Sequence, residues 1–318
     1  MFVQSIKFIE AHHGNKKAIS IYGQEYTNTT YKLAKMNLAT RGISGNLGEK
    51  AADTFRDVQY KDLKADYIMA NPPFNQKDWR AENELIDDPR WRGYEVPPKS
   101  NANYAWILNM VSKLSENGNA GFILANGVLS GGGEEYKIRR KLIENNLVEA
   151  ILVLPQDMFY TTNISVTVWI LNKNKKAQSR NIGDEQRSYR NREMEILFMD
   201  LRQLGEPFEK KFTQFSDTDI QNVTSTYHQW QCTNNPLLVP YQNIPEFCYS
   251  ATFEEVEKKD FSLVPSKYIE FINRDENIDF DEKMQTLQTE FAELLKAEAE
   301  SKNDLLTVFK ELGYEIKL

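Results

Sequence analysis

Cysteines, histidines and long apolar runs are scarce in this 318-residue chain, which has two Cys and three His. Cys232 and Cys248 lie outside any CxxC or Cys/His pattern, which argues against a disulfide framework or a cysteine-based metal cage, so we expect free thiols. No stretch approaches the roughly 20 apolar residues that cross a bilayer. Residues 1–13 lack the basic start, apolar centre and cleavage site of an export signal, and we expect a cytoplasmic protein.

An excess of positive charge is also missing. Against 39 Lys and Arg the chain has 46 Asp and Glu, which gives a formal net charge of −7. Because neutralisation of phosphates supplies most non-specific affinity for nucleic acids, this balance disfavours a protein that binds nucleic acid unaided. It does not exclude a local basic patch or a basic partner. The length suffices for a large core, in one domain with an appendage or in two domains.

Short apolar runs alternate with helical periodicity in residues 1–173, a pattern typical of a parallel sheet wrapped by helices. The last two strands are too close in sequence for a helical crossover, so we expect them to be antiparallel. We predict helices over 2–13, 27–42, 103–118 and 134–146, and strands over 18–25, 66–73, 120–126, 148–154 and 166–173.

Two later segments differ in character. Residues 174–193 are polar and charged without an apolar period, and we predict a solvated or partly disordered loop. From Phe280 onward apolar residues follow a 4-3 heptad spacing that Glu298 and Ser301 interrupt. Such a seam favours packing against another helix, and the partner is either this chain's own core or a second protein.

Residues 71–74 read Asn-Pro-Pro-Phe, directly after the apolar run 66–70. Ligands of doubly wound sheets lie beyond the carboxyl ends of the strands, where this tetrapeptide is expected. The Asn71 side-chain oxygen and the Pro72 carbonyl can accept the two hydrogens of an exocyclic amino group. The prolines stiffen the backbone, and the Phe74 ring offers a flat apolar face. The motif therefore suits a planar, nitrogen-bearing substrate, with an ordinary strand-ending turn as the plainer alternative.

Longer stretches around this motif carry a family resemblance. With "DLKADYIMANPPFN", "NYAWILNMVSKL", "GFILANGVLS" and "LVEAILVLPQDMFYTTNISVTVWILNK", the chain resembles the N6-adenine DNA methyltransferases, in particular the modification subunit of type I restriction-modification enzymes. Glutamine methyltransferases that act on release factors share Asn-Pro-Pro, but we would not expect them to carry "DIQNVTSTYHQW" and "FSLVPSKYIE". The resemblance implies an α/β fold, with a doubly wound Rossmann-like methyltransferase sheet, an antiparallel last strand pair and a C-terminal helical tail.

The resemblance also implies domains and a cofactor. We expect a partial methyltransferase domain over 1–204, a connecting region over 205–275 and a helical tail over 276–318. The methyl donor would be S-adenosylmethionine, with Glu25 accepting hydrogen bonds from its ribose hydroxyls and Asp53 accepting from its adenine amino group. No metal is implied, because the methyl group is already activated by the sulfonium.

Other implied roles concern the target base. Asn71 and Pro72 would polarise the N6 amine of an adenine extruded from the duplex, and Phe74 would stack on its ring. Phe159 falls where the family has a second stacking aromatic. It is alternatively a core plug beneath its loop, in which case the neighbouring Tyr160 would take the stacking role.

A long loop rich in Arg, Trp, Tyr and Pro joins the Asn-Pro-Pro-Phe motif to the next helix. Loops of this length inside a compact domain are usually functional. Arg90, Arg92 and Lys99 are candidate contacts to DNA phosphates or to the displaced base. Trp79 and Trp91 are candidate anchors of the loop, and we favour a mixture of anchoring and DNA contact.

Family members carry a strand and a glycine-rich loop just upstream of the segment that matches Met1–Gln4 of this chain. We therefore expect the sheet's first strand and the N-terminal helical domain to be missing, and S-adenosylmethionine to bind weakly to this chain alone, since glycine permits close backbone approach. The missing part is either lost or supplied separately, and a non-catalytic assembly piece is the alternative to an enzyme. The implied partners are DNA, a specificity subunit and a motor-nuclease restriction subunit, without a membrane.

Overall fold

The computed structural model describes residues 1–160, 162–182, 185–209, 211–232, 240–272 and 280–313. The chain divides into two units, Met1–Glu270 and Phe271–Leu318. In chain order the elements are α1 Phe2–Ala11, α2 Asn28–Ala39, β1 Ala65–Ala70, α3 Asn103–Lys113, β2 Leu114–Ala125, α4 Gly133–Glu144, β3 Val148–Val153, β4 Val166–Asn172, β5 Gln178–Ile182, β6 Glu185–Tyr189, β7 Glu195–Asp200, β8 Glu206–Phe208, β9 Phe212–Gln214, α5 Asp217–Gln231, β10 Cys248–Thr252, α6 Phe253–Lys258 and α7 Phe280–Glu311.

A six-stranded sheet in the order β1-β2-β4-β3-β7-β10 organises the first unit. β1 runs parallel to β2 and β3 runs parallel to β7, whereas β4 is antiparallel to both β2 and β3. The predicted antiparallel last strand pair is therefore confirmed. Because β1, β2, β3 and β7 run in one direction, their carboxyl ends lie at the same edge of the sheet, which we call the carboxyl edge.

Helices cover both faces of this sheet, as the doubly wound prediction requires. On one face the core includes Tyr104 and Leu108 of α3 and Ile138 of α4, all fully buried. On the other face, Trp230 of α5 packs against a cluster that includes Leu152, which we call the α5-side core. Full burial of an aliphatic side chain such as Leu108 contributes about 1.5–3 kcal/mol to folding. This packing fixes the strand ends on which the candidate site is built.

The N-terminal region departs from the prediction of a strand over 18–25. Within the described residues this segment forms one parallel bridge, between Tyr22 and Asn46, and no strand. An extended segment becomes a strand only when a neighbour satisfies its backbone groups along its length. Here the Tyr22–Asn46 bridge and a separate hydrogen bond from the Ala52 amide to the Glu25 carbonyl do not form a continuous ladder. β1 is consequently an edge strand, and it exposes 77% of Tyr67 and 61% of Met69.

The prediction of a solvated loop over 174–193 is wrong. Its polar residues pair as the antiparallel hairpin β5–β6, and the charged residues that flank the hairpin enter the core. Lys175 Nζ donates to the Val148 carbonyl at 2.9 Å, and burial lowers the pKa of this ammonium to about 8. Arg192 Nε donates to Glu149 at 3.3 Å, and both side chains are almost fully buried. Composition alone misses this arrangement because paired charges can be buried.

The second unit is described as the helix α7, which confirms a helix at the predicted heptad seam. The apolar side chains of this seam are exposed, among them Phe280, Phe291 and Leu305. None of the helices in the described ranges combines the length and the apolar character that a bilayer crossing requires. Cys232 and Cys248 are free thiols, as predicted.

Candidate active site

The Asn-Pro-Pro-Phe motif follows β1 directly at the carboxyl edge. Ala70 still pairs with Phe122 of β2, so the position of Asn71 is set by the end of the strand ladder. Asn71 is exposed, Pro72 is buried and Phe74 is half-buried. An exposed amide beside a buried proline provides one accessible acceptor on a stiff, anchored turn. The exposed Asn71 amide can therefore act as one of the two acceptors of the amine-binding hypothesis, and the role of the second, the carbonyl of the buried Pro72, stays a prediction.

Two aromatic candidates lie in the loop after β3, at the same edge of the sheet. Phe159 is half-buried and packs against the α5-side core, as Phe74 does. Tyr160 is 72% exposed, and its ring meets that of Phe212 in β9 edge-on, with the ring centroids 4.7 Å apart. Phe159 thus combines partial core packing with partial exposure, whereas the Tyr160 ring is open to solvent. The stacking roles of both rings stay predictions.

An unsatisfied acceptor lies just after β2, between these two loops. Asn126 Nδ2 donates to Ser165 Oγ at 3.2 Å, while its Oδ1 is buried without a hydrogen-bond partner. Ser165 Oγ in turn donates to the Leu154 carbonyl at 2.6 Å, which fixes the hydroxyl as an acceptor for Asn126. A buried acceptor without a partner typically costs about 1–3 kcal/mol. Sequence reasoning missed Asn126, for which the only signal was its place at a strand end.

The predicted cofactor residues lie on neighbouring segments. The Ala52 amide donates to the Glu25 carbonyl at 2.8 Å, which places Glu25 beside the turn that begins at Asp53. Gln24 reinforces this link, because its Nε2 donates to the carbonyls of Ala52 at 3.1 Å and of Asp57 at 2.9 Å. The structure therefore brings Glu25 and Asp53 together, although neither follows a strand.

The two carboxylates differ in how free they are to accept from S-adenosylmethionine. Within the described residues the Glu25 side chain has no hydrogen-bond partner, so both of its oxygens can accept from a diol. Asp53 Oδ1 already accepts from the amides of Phe55 at 2.7 Å and Arg56 at 3.1 Å, which caps a local turn. Asp53 Oδ2 lies 3.9 Å from Arg56 Nη1 in an ion pair. The roles of both carboxylates toward the cofactor stay predictions.

Tryptophan residues anchor the long loop that follows the motif, as the plainer reading of this loop expected. Trp79 and Trp91 are buried, and their rings meet edge-on with centroids 6.0 Å apart. Trp79 Nε1 donates to the Pro98 carbonyl at 2.9 Å, and Trp91 Nε1 donates to the Leu85 carbonyl at 2.6 Å. Buried indoles with satisfied N–H groups stabilise a loop without needing a ligand.

The expectation that Arg90 contacts DNA does not fit this structure. Arg90 is only 9% exposed, and it forms an ion pair of 2.7 Å with Asp88. Its guanidinium also donates to the carbonyls of Thr54 and Phe55 and to Asn109. Because these donors are committed inside the protein, the side chain ties the loop to the Asp53 turn. The short turn Pro89–Trp91, capped by Asp88, is what directs it inward.

The other two basic candidates remain accessible. Arg92 is exposed, and its side chain has no hydrogen bond or ion pair among the residues that the structure describes. Lys99 is exposed and pairs with Glu82 at 3.2 Å, a surface contact that contributes little to stability. Both can therefore exchange their present surroundings for a phosphate group.

An ion pair forms a second link between the loop and the Asp53 turn. Arg56 donates to both oxygens of Glu84, from Nε at 2.7 Å and from Nη2 at 3.1 Å. The Ala81 amide donates to the same carboxylate at 2.8 Å. The hydrogen bond from Arg56, helped by that from Ala81, lowers the pKa of Glu84 to about 2. Nothing in the sequence pattern pairs these two residues, which are 28 positions apart.

A cavity of about 470 Å³ opens elsewhere along the carboxyl edge. Its lining comes from the segments that follow β3 and β7 and from β8 and β9, and includes Gln156, Asp157, Arg202 and Thr213. None of the predicted site residues lines it. Its lining carries charges of both signs. The candidate active site is therefore defined by the exposed Asn71 turn and not by this cavity.

Comparisons with known proteins show which family the chain belongs to. The chain matches the family described as N-6 DNA Methylase over residues 1–277. The type I restriction enzyme HindI methylase subunit of Haemophilus influenzae is 42% identical over 99% of this chain and 66% of its own length. The type I restriction enzyme MjaIX methylase subunit of Methanocaldococcus jannaschii is 31% identical over 98% of this chain and 54% of its own length.

Solved structures give the same picture of the fold. The type I restriction-modification methyltransferase subunit from Streptococcus thermophilus is similar with a TM-score of 0.65 and 26% identity, over 78% of this chain and 48% of that one. The EcoKI M protein is similar with a TM-score of 0.57, over 86% of this chain and 58% of that one. At 19% identity, the second match concerns the fold alone. This chain thus spans between about half and two thirds of its relatives. By sequence and by fold, the chain belongs to the N-6 DNA methylase family.

Proposed function

We propose that the chain is the methyltransferase part of a type I modification subunit, and that it transfers a methyl group to the N6 of adenine in DNA. The observation that carries this proposal is the exposed Asn71 on a rigid turn at the carboxyl end of β1. Family membership supplies the reaction class, and the turn supplies a site for the amine.

The chemistry assigned to the turn is positional. The Asn71 side-chain oxygen and the Pro72 carbonyl accept the two amine hydrogens, which draws the nitrogen lone pair out of conjugation with the ring. Bound S-adenosylmethionine supplies an activated methyl group. The base must leave the duplex, at a cost of a few kcal/mol, and Phe74 stacks on its ring. Alignment of the reacting atoms by this chain then provides most of the acceleration, so no metal is needed.

The cofactor site is assigned to Glu25 and Asp53. Glu25 accepts from the ribose hydroxyls, and the second carboxylate oxygen of Asp53 accepts from the adenine amino group. We propose that this chain alone binds S-adenosylmethionine weakly. Residues 18–25 lack a strand that would hold Glu25, and one Asp53 oxygen is occupied by its own turn. Weak binding follows because ordering these segments consumes part of the interaction energy.

DNA contacts are assigned to Arg92 and Lys99, and Arg90 is not among them. Phe159, or Tyr160 in its place, stacks on the extruded base from the loop after β3. With a net charge of −7 the chain has little electrostatic attraction to DNA of its own. We therefore assign sequence recognition to a separate specificity subunit, with a motor-nuclease subunit as a further partner. The exposed apolar seam of α7 is the proposed docking surface for the specificity subunit.

A methyl-acceptor assay tests this function against its main alternative, a glutamine methyltransferase. Tritiated S-adenosylmethionine is offered to the chain with its co-encoded subunits, together with duplex DNA or a bacterial release factor. Label on N6-methyladenine supports the proposal, and label on protein glutamine contradicts it. A second alternative, a non-catalytic assembly piece, is favoured by the absence of a strand at residues 18–25. It predicts co-purification with the other subunits and no label on either acceptor.

A further inference from the structure

Two asparagine side chains face each other just behind the candidate motif. Asn75, which follows Phe74, donates from its backbone N–H to Asn103 Oδ1 at 3.0 Å. Asn103 Nδ2 donates back to Asn75 Oδ1 at 2.8 Å. Asn103 is only 1% exposed, so this reciprocal pair is shielded from water on its α3 side. We call it the Asn75–Asn103 pair.

Backbone conformation explains why residue 75 is an asparagine. Its φ is 52°, in the left-handed region that costs most residues energy and that Asn and Asp tolerate. Asn103 is the first residue of α3, and the neighbouring residues 104 and 105 are completely buried. The pair therefore joins a turn of unusual conformation to the start of a rigid core helix.

The next residue strengthens the connection. The Ala102 amide donates to the Gln76 carbonyl at 2.9 Å, and Trp106 Nε1 donates to Gln76 Oε1 at 3.2 Å. The tetrapeptide is thus held at both ends, by the β1 ladder before Asn71 and by the start of α3 after Phe74. A segment of four residues clamped in this way has little freedom to shift.

We propose that Asn103 is a positioning residue, which acts through Asn75 to hold the Asn-Pro-Pro-Phe turn in the geometry that methyl transfer needs. This inference rests on the proposed function. Asn103 touches neither substrate nor cofactor in this account. Its contribution is alignment, and a misplacement of about 1 Å at a reacting centre can lower a rate roughly 100-fold.

Asn→Asp substitutions change the hydrogen bonding of the pair but hardly change side-chain volume. They therefore distinguish positioning by hydrogen bonds from a role that depends only on filling space. Asn75→Asp keeps an acceptor for Asn103 Nδ2 and keeps its own N–H. Asn103→Asp keeps the acceptor for that N–H, and the Asn75 amide can turn so that its NH2 group donates to the new carboxylate. A carboxylate at the start of α3 is also favoured by the helix dipole. Each single substitution therefore preserves two hydrogen bonds.

The double variant removes this complementarity. With Asn75→Asp and Asn103→Asp together, two carboxylates face each other at high pH and repel. When the pH falls, one of them takes up a proton and donates to the other, as close carboxyl pairs do. At pH 8 the side-chain hydrogen bond should therefore be lost, and repulsion between the carboxylates should weaken the remaining bond from the residue 75 N–H. Both should be restored near pH 5. A role that depends only on side-chain volume predicts no such dependence on pH.

The test measures methyl transfer to duplex DNA by the full chain with its partner subunits, relative to the unaltered protein at each pH. We expect each single variant to retain at least about one third of kcat, and the double variant to lose about 100-fold in kcat at pH 8, with KM for DNA little changed. Most of this loss should be recovered at pH 5. The matched control is Asn117→Asp with Asn174→Asp, which places the same charges on an exposed amide pair of 2.6 Å.

Hydrogen exchange of the Asn75 amide, which donates to Asn103 Oδ1, provides a readout that needs no activity. In the double variant we expect this amide to exchange at least about 10-fold faster than in the single variants at pH 8, after correction for intrinsic rates, and to be protected again at pH 5. A double variant that behaves like the single variants in exchange would overturn the inference. If instead the expected exchange pattern is observed but the unaltered protein transfers no methyl group to DNA, the proposed function is wrong. The Asn75–Asn103 pair would then still hold the turn in place.

Discussion

Arg90 donates a hydrogen bond of 2.6 Å from Nη2 to the backbone carbonyl of Phe55. Through this bond, the loop after the Asn-Pro-Pro-Phe motif is fastened to the turn that holds the candidate cofactor residue Asp53. The Phe55 ring completes the junction, since its centroid lies 4.7 Å from that of Trp79. The substrate side and the cofactor side of the proposed site are therefore parts of one packed structure.

Arg90 and Arg92 should respond in opposite ways to substitution. Arg90→Ala leaves Asp88 without its ion-pair partner at a site where both side chains are nearly buried, and should lower the free energy of unfolding by about 3–5 kcal/mol. Arg92→Ala should change it by less than about 0.5 kcal/mol, because the side chain is exposed. Urea denaturation followed by circular dichroism measures both.

DNA affinity tests the role of the exposed basic residues. In the assembled complex, Arg92→Ala and Lys99→Ala should weaken binding and reduce its dependence on salt, because each removes a proposed phosphate contact. Equal stability losses for Arg90→Ala and Arg92→Ala would contradict the burial argument. Unchanged salt dependence in the Arg92 and Lys99 variants would contradict their assignment to DNA.

The Arg56–Glu84 link should depend on pH in a defined direction. The pKa of Glu84 is lowered from its ordinary value of 4.5 to about 2, so the folded state holds this proton less tightly than the unfolded state does. The stabilisation is therefore fully present above pH 4.5 and is lost as the pH falls through about 2. Carboxyl chemical shifts measured by NMR should show this titration. In an Arg56→Gln variant the midpoint should move back toward 4.5, and an unmoved midpoint would show that Arg56 is not the cause.

S-adenosylmethionine should bind this chain more weakly than is usual for a methyltransferase. Titration calorimetry of the isolated chain should give a dissociation constant well above the micromolar range. A micromolar constant would correspond to a binding free energy of about −8 kcal/mol, and we expect weaker binding than that. Glu25→Gln should weaken this binding further, whereas Glu49→Gln at an exposed position should not change it. A micromolar constant for the unaltered chain would refute the proposed weakness.

Deletion of residues 280–318 should abolish co-purification with the specificity subunit. Met1–Glu270 is a compact unit without α7, so its thermal unfolding should be little changed. The apolar seam of α7 is exposed, and its removal takes away apolar surface that a partner helix would bury. If the shortened chain still co-purified with that subunit, α7 would not be the docking surface.

Local signals in the sequence predicted much of the fold. α2 begins after Thr27, whose hydroxyl accepts from the Thr30 amide at 3.3 Å, and it is followed by Gly42 at a φ of 64°. An apolar run that ends in prolines predicts β1 and the motif after it. These features depend on residues close together in the chain, and so a single sequence reveals them.

The features that sequence reasoning missed depend on distant partners. Arg90 looked like a DNA contact because nothing in its neighbourhood reveals the carbonyls of Thr54 and Phe55, which bury it. The β5–β6 hairpin was missed because its polar composition hides pairing and the buried Glu149–Arg192 contact. The sequence did not predict a role for Asn103, because its partner Asn75 lies 28 positions earlier. Long-range pairing of polar groups leaves no periodic signature.

Methyl transfer by an Asn71→Ala variant tests the account most directly. In the assembled complex, with tritiated S-adenosylmethionine and duplex DNA, we expect the unaltered chain to label adenine N6 and the variant to show no transfer above background. Their circular dichroism and thermal unfolding should be the same, because the Asn71 side chain is exposed. Normal labelling by the Asn71→Ala variant would contradict the proposal that this amide holds the target amine.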